Sequence, residues 1–308
     1  MKVAVIGRGR PLYNSIEALR TLGHSVDVIV TAKEAPEYEV TSESFRQLAR
    51  DIGAAFLHTP RIGDAHELFG QVESLDVGIS VNYPGIIPDD TIEYFRLGIL
   101  NAHGGDLPRY RGNACQAWAI LQGESHVGLC IHYMVGGELD SGDIIVREYY
   151  DLNSTTKIGE VQSWMECTIP RAFCQALDVL QRNPSYVLDV QSKDYNDSLR
   201  CYPRRPADAE IYWTFEAQHI VRLVNASGPP YGGAYFNFQG GKIVVLDASV
   251  PEDHGQLLAI PGQVLQIEDN FLDVATSSRP IRLKHLVQNG NPVSPRALVQ
   301  SIRQRLTD

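Results

Sequence analysis

An amide and an imidazole, Asn101 and His103, stand two positions apart where the apolar run Leu97 to Leu100 ends. At the end of an extended strand, that spacing sends both side chains out of one face. The chain then turns through Gly104-Gly105 and Leu107-Pro108, residue types of loops and not of cores. A second element, Gly136-Gly137-Glu138-Leu139-Asp140-Ser141-Gly142, adds carboxylates much later in the chain. An Asn, a His and a distant Asp on loops that end strands are the ingredients of acyl transfer. The imidazole, with an ordinary pKa of about 6.5, takes or gives a proton near neutrality. The carboxamide can donate to an oxygen that gains negative charge, worth about 3 kcal/mol in comparable sites. The carboxylate can orient the imidazole or relay protons through water. Taken singly, Asn101 reads equally as a strand-end cap, His103 as a loop hydrogen bonder and Asp140 as a turn residue. As a set they point to catalysis, with Glu138 read as a solvated turn residue.

Competing chemistries find little support. The nine histidines are scattered, without HExxH or clustered ligand spacing, so no metal site is expected. GxSxG and Walker patterns are absent. Gly7-Arg8-Gly9 begins a dinucleotide pattern, but Leu12 stands where the third glycine belongs, so a tight turn is the preferred reading. The five cysteines are an odd number with no CxxC pair and read as reduced structural residues. A net charge of −10 and a pI near 5.4 argue against a grip on a large polyanion. Met1-Lys2 leads at once into the strand Val3-Ala4-Val5-Ile6, so neither a leader nor a membrane span is expected and the location expected is cytoplasmic.

The elements that must position the candidate residues follow from periodicity. Lys2–Gly7 reads as a buried strand, Asn14–Leu22 as a helix and Val26–Val30 as a strand, a βαβ opening. Helices are expected over Phe45–Gly53, Ala65–Val72 and Asp89–Leu97, and strands over Ala55–His58 and Val77–Val81. The last of these strands runs into Asn82-Tyr83-Pro84-Gly85-Ile86-Ile87-Pro88, a rigid loop where open α/β sheets gather ligands, though a plain β-turn is also open. Val127–Val135 alternates as a strand and carries His132, read as a packed core histidine. Ile144–Tyr150 is expected to be antiparallel. A long helix follows, which Pro170 kinks or restarts. Gln191–Asp208 reads as a linker. Beyond it come a helix over Thr214–Asn225, short strands with turns between them, and a terminal helix over Ser294–Arg305. The expected architecture is α/β: a Rossmann-like, mostly parallel sheet over 1–190, a linker over 191–208, and a small OB-like β-barrel domain over 209–308.

Asn101-x-His103 with Leu107-Pro108-x-Tyr110-Arg111-Gly112, then Trp118-Ala119-Ile120, Gly123-Glu124, Gly128 and Leu139-Asp140-x-Gly142, resembles the folate-dependent formyltransferase family. That family includes the methionyl-tRNA and sugar N-formyltransferases. Arg204-Arg205-Pro206, the Trp213 helix and Tyr231-Gly232-Gly233-Ala234 extend the resemblance into the second half. It implies N10-formyltetrahydrofolate as co-substrate and Asn101, His103 and Asp140 as the catalytic set. It also implies that Asn82, Tyr83, Pro84, Gly85, Ile86 and Ile87, with Gly136, Gly137 and Glu138, hold the pterin. The family loop after the histidine reads Gly-Ser-Leu-Leu-Pro; here Gly104-Gly105-Asp106-Leu107-Pro108 loses the hydroxyl and gains a carboxylate at the next position. Two roles are open to Asp106, a salt bridge to Arg109 or Arg111, or reception of an acceptor's hydroxyl or ammonium. Gly105, Asp106, Arg109, Arg111 and Arg204 are the expected substrate contacts.

The acceptor expected from charge is the amine of a nucleotide-linked amino sugar, a precursor of a surface glycan such as lipopolysaccharide. The stretch after Val30 carries an acidic balance where tRNA-reading members carry a basic insertion. The alternatives are methionyl-tRNA formylation, formyltetrahydrofolate hydrolysis with water in place of the amine, and an inactive folate-binding homologue. Neither nucleic acid nor membrane is an expected partner, and the sequence admits a homodimer without specifying one.

Overall fold

The computed structural model describes residues 1–36, 38–252 and 254–307. Its strands in chain order are β1 Lys2–Gly7, β2 Ser25–Thr31, β3 Ala55–His58, β4 Val77–Val81, β5 Ile99–His103, β6 Tyr110–Gly112, β7 His126–Tyr133, β8 Ile144–Asp151 and β9 Leu199–Cys201, then β10 Ala234–Phe238, β11 Gly241–Ser249, β12 Val264–Ile267, β13 Leu272–Val274, β14 Ile281–Gln288 and β15 Asn291–Pro292. The helices are α1 Arg10–Thr21, α2 Ser42–Ile52, α3 His66–Gln71, α4 Asp89–Ile92, α5 Cys115–Gln122, α6 Ile158–Arg182, α7 Ala217–Ser227 and α8 Pro295–Leu298. The chain divides into two compact units. One holds residues 1–115, 127–150 and 162–202; the other holds 116–126, 151–161 and 203–308.

The first unit is built on a seven-stranded sheet ordered β3-β2-β1-β4-β5-β7-β8. β1 to β5 are mutually parallel, and β7 runs antiparallel to β5. Val3 to Ile6 are wholly buried, as expected for a strand covered on both faces. α1 turns Leu12, Ile16 and Leu19 into the core. Thr41 caps α2 by accepting from the Ser44 N–H, and Gly53 at φ 74° closes it. Gly7, at φ 132°, ends β1 so close to β4 that a Cβ would lie 1.9 Å from the Val81 carbonyl oxygen. The backbone crossing alone explains this glycine, without a bound dinucleotide.

Two elements of this half bear on the expectations. α6 continues through Pro170 as one helix, so the proline does not restart it. Its buried stripe of Ile158, Val161, Met165, Ile169, Phe173, Leu177 and Leu180 supplies packing that outweighs one missing backbone hydrogen bond. The stretch read as a linker is also divided. Residues 191–202 cluster with the first unit, where β9 pairs in parallel with β6.

The second unit carries an antiparallel sheet ordered β10-β11-β14-β13-β12, with β15 paired to β14. Trp213 stacks edge-on against Phe236 and donates its indole N–H to the Leu306 carbonyl. The helix expected over Ser294–Arg305 is a single turn. Ser294 caps it, and the chain becomes extended at the buried Val299, φ −127°. Among the described residues no helix is long and apolar enough to cross a membrane.

Candidate active site

β5 lies between β4 and β7, and the register of both pairings sets what surrounds its carboxyl end. Ser80 of β4 and His132 of β7 flank Asn101. Asn101 Nδ2 lies 3.3 Å from His132 Nε2. His132 Nδ1 lies 2.8 Å from the Tyr133 carbonyl oxygen. A carbonyl only accepts, so the His132 proton sits on Nδ1, and Nε2 accepts from the Asn101 amide. The second Asn101 N–H remains for a ligand. His132, read from the sequence as a core residue, is buried but stands inside the candidate site, 3.6 Å from Asp140 Oδ1.

Asp140 adopts φ 48°, a left-handed conformation that a non-glycine residue rarely takes. Its Oδ2 accepts from the Gly112 N–H at 2.9 Å and lies 3.4 Å from His103 Nδ1. The other ring nitrogen of His103, Nε2, is 2.7 Å from the Tyr110 carbonyl oxygen. Cys115 Sγ lies 3.6 Å from the same nitrogen. Its hydrogen bond with Cys201, together with burial, pushes the Cys115 thiol far above its ordinary pKa, so it stays protonated. Asn101, His103 and Asp140 therefore converge in the first unit, with His132 between them.

Burial pulls the His103 pKa down. The Asp140 charge and the Tyr110 hydrogen bond pull it up, while His132 and Arg111 add to the lowering, and the net direction is below the ordinary value. Burial pushes the Asp140 carboxyl up, but the charge of His103 and the Gly112 N–H outweigh it and hold the group well below the usual carboxylate range. At neutral pH the pair is a carboxylate facing an uncharged imidazole. Because Tyr110 O accepts the Nε2 proton, His103 Nδ1 carries the lone pair, and the pair is one proton short of a complete ion pair.

Gly105 lets the following loop lie against the imidazole. A Cβ there would stand 2.6 Å from His103 Nε2 and 2.5 Å from the Tyr110 carbonyl oxygen. We expect Gly105→Ala to lower stability by about 1–3 kcal/mol through overpacking. The same change should lower turnover, because either the ring or its carbonyl partner has to move. Denaturant unfolding alongside initial rates checks both, and unchanged values in each would contradict this packing.

The stretches expected to hold the pterin flank the cluster. The Asn82 carbonyl accepts from Arg8 Nε at 2.9 Å, and Asn82 Nδ2 donates to the Tyr38 hydroxyl. Tyr83 donates to the Thr59 carbonyl, and burial pushes its phenol up to about 12. Pro84 and Gly85 form the bend, Ile86 is 79% exposed and Ile87 is buried. In the second stretch, the Gly136 N–H donates to Asp89 Oδ1 at 3.0 Å, and Glu138 Oε2 accepts from the Ser141 hydroxyl. Among the described residues, the backbone groups of Gly85, Ile86 and Gly137 take no hydrogen bond. Such amides and carbonyls suit the polar edge of a pterin, and the donor left on Asn101 suits a formyl oxygen. No group of three or more His, Cys, Asp or Glu side chains among the described residues is arranged to hold a metal ion.

Of the expected substrate contacts, Asp106, Arg109, Arg111 and Arg204 each meet partners within the protein. Asp106 has partners from a distant strand. Its Oδ1 receives Arg147 Nη1 at 2.9 Å and the Tyr149 hydroxyl at 3.2 Å, both from β8. The partner comes from across the fold, a distance that local reading does not reach. Arg109 lies over the Tyr110 ring. Arg111 Nη2 donates to Gln191 Oε1 and the Ser192 carbonyl. Arg204, in the second unit, donates to the carbonyls of Ala226 and Asp208 and to Ser227 Oγ. Arg111 and Arg204 thus brace backbone.

Residues 1–177 match the family described as "Formyl transferase". The chain belongs to the formyl transferase family. Residues 204–303 match the "Formyl transferase, C-terminal domain", so this formyltransferase carries both parts. It is a folate-dependent enzyme of a family that uses formyl-tetrahydrofolate. The methionyl-tRNA formyltransferase of Pelotomaculum thermopropionicum is 27% identical over 297 residues, covering 94% of this chain and 92% of its own. Among solved structures, the N-formyltransferase from Helicobacter canadensis, in complex with folinic acid and dTDP-3-aminofucose, superposes with a TM-score of 0.63 at 12% identity, over 93% of this chain and 100% of that one. HypX from Aquifex aeolicus in complex with tetrahydrofolic acid superposes with a TM-score of 0.60 at 16% identity, over 98% of this chain. The formyltransferase spans about half of the HypX chain, 47%. At these identities the two structures show the shared fold.

Proposed function

We propose that this formyltransferase moves a formyl group onto a primary amine, with Asn101, His103 and Asp140 as the working set. The observation that carries the reading is the buried His103–Asp140 pair, 3.4 Å between Nδ1 and Oδ2, in the same cluster as the Asn101 amide. When bound, N10-formyltetrahydrofolate supplies an activated formyl carbon. His103 Nδ1 takes the amine proton as the new C–N bond forms, the imidazolium so formed completes the ion pair with Asp140, and the same proton would pass to the folate N10 as the C–N10 bond breaks. Asn101 donates its second N–H to the formyl oxygen as that oxygen gains charge. Gly85, Ile86 and Gly137 offer backbone groups to the pterin, with Asn82, Tyr83, Pro84, Ile87, Gly136 and Glu138 shaping the loops that present them.

For the acceptor, similarity that runs the length of both parts favours methionyl-tRNA. A nucleotide-linked amino sugar is the second reading. It is supported by the net charge of −10 and by the stretch after β2, where Glu34, Glu39 and Glu43 outnumber Lys33 and Arg46. A large polyanion meets repulsion there, whereas a small phosphorylated sugar needs few cations. The deciding assay supplies formyl-tetrahydrofolate with either charged initiator tRNA or a panel of nucleotide-linked amino sugars at physiological salt. Formyl-methionyl-tRNA as the product supports the first reading. Formylated sugar with inert tRNA replaces it with the second, and formate release without either amine overturns both.

A further inference from the structure

Gln191 is 3% exposed, although it opens the polar stretch that reads as a connector. Its side-chain amide spans the two backbone segments that hold the His103–Asp140 pair. On one side, Nε2 lies 3.1 Å from the Asp140 carbonyl oxygen and 2.5 Å from that of Gly142. On the other, Oε1 accepts from Arg111 Nη2 at 2.9 Å. The Gln191 backbone N–H adds a bond to Asp143 Oδ1 at 3.1 Å. Arg111 lies between the two residues whose backbone touches the pair. The Tyr110 carbonyl binds His103 Nε2, and the Gly112 N–H binds Asp140 Oδ2. One amide therefore reaches both the loop that presents Asp140 and the strand that fixes His103.

The conformation of Asp140 gives this bridge its importance. At φ 48° a non-glycine residue persists only where its surroundings over-determine it. The Gly112 N–H restrains the carboxylate end, and Gln191 restrains the carbonyl end. We infer that Gln191 is a positioning residue for proton transfer, clamping the Asp140 loop against β6 so that carboxylate and imidazole meet. The inference rests on the reading of His103 and Asp140 given above.

Gln191→Glu tests it with almost no change of shape. The oxygen that serves Arg111 is kept, while the amide nitrogen becomes an acceptor facing two carbonyls. Gln191→Ala, which removes both arms, is the second variant. In each, kcat should fall about 100-fold, the scale of a small misplacement of a reacting group, while KM for formyl-tetrahydrofolate holds and circular dichroism shows the fold retained at the assay temperature. His103 faces Asp140, His132, Arg111 and Cys115. Weakening the Asp140 contact removes the main influence that raises its pKa, so in Gln191→Ala, which adds no charge, its ring titration followed by NMR should move to lower pH. On an Asp140→Asn background, Gln191→Glu should add no further loss. Unchanged kcat in both variants and an unmoved His103 titration in Gln191→Ala would overturn the inference. So would a loss that multiplies fully with that of Asp140→Asn. The titration needs no acceptor. If the wild-type protein proved inactive, the functional reading would fail, and the NMR result would still decide whether Gln191 sets the pair.

Discussion

Replacing His103 by Ala should lower turnover by about 10³- to 10⁴-fold, the upper range for loss of a positioned general base. The expectation comes from the burial of the ring and from the directions its two nitrogens take. Nε2 is committed to the Tyr110 carbonyl, and Nδ1 is the only ring atom that can take the amine proton. The neighbouring Cys115 cannot substitute, because its thiol is held protonated. The wild-type profile carries the sign of the same argument. Burial sets the His103 pKa below about 6.5, so kcat/KM should stay level through neutrality and fall only in more acid solution. His103→Ala should abolish that acid limb along with most of the rate. Steady-state kinetics across pH, with circular dichroism to confirm the fold, would check both parts. A variant that kept wild-type turnover and the acid limb would remove the assignment.

Replacing Asp140 by Asn should cost about 10³-fold in kcat, near the middle of the general acid–base range, with little effect on folate affinity. Asparagine keeps the volume and can still accept from the Gly112 N–H, so the loop retains its anchor. It cannot supply the charge that completes the pair when His103 is protonated. Because Asp140 raises the His103 pKa against the effect of burial, its neutralisation moves the residual acid limb to still lower pH. A shift in the opposite direction would show that Asp140 does not face the imidazole in solution. Loss of activity through unfolding would appear as a lowered melting temperature and is separable on that ground.

The parts of this site that could be read from sequence are those set by neighbours in the chain. Asn101 and His103 share a face because they lie two apart at a strand end, and the parallel order of β1 to β5 follows from helices inserted between short apolar runs. His132 could not be recovered in that way. Its role depends on pairing with Asn101 across antiparallel strands, a register that alternation of apolar residues leaves open. Asp106 shows the same limit. Local spacing offered Arg109 and Arg111 and could not reach Arg147, which the fold brings from β8. Gln191 was hidden by composition, since a polar stretch with prolines reads as a connector even where one amide is buried against the Asp140 loop. The acceptor is the least local property of all. Net charge points to a small phosphorylated sugar, while full-length relatives point to tRNA.

The double variant His103→Ala/Asp140→Asn provides the sharpest comparison, with single-turnover formyl transfer measured for it and for each single change. Groups that act as one unit show grossly non-additive losses. The paired geometry predicts that the double variant is no slower than His103→Ala alone. Losses that multiply, so that the double variant falls below His103→Ala by the full factor of Asp140→Asn, would contradict a joint role for these two side chains.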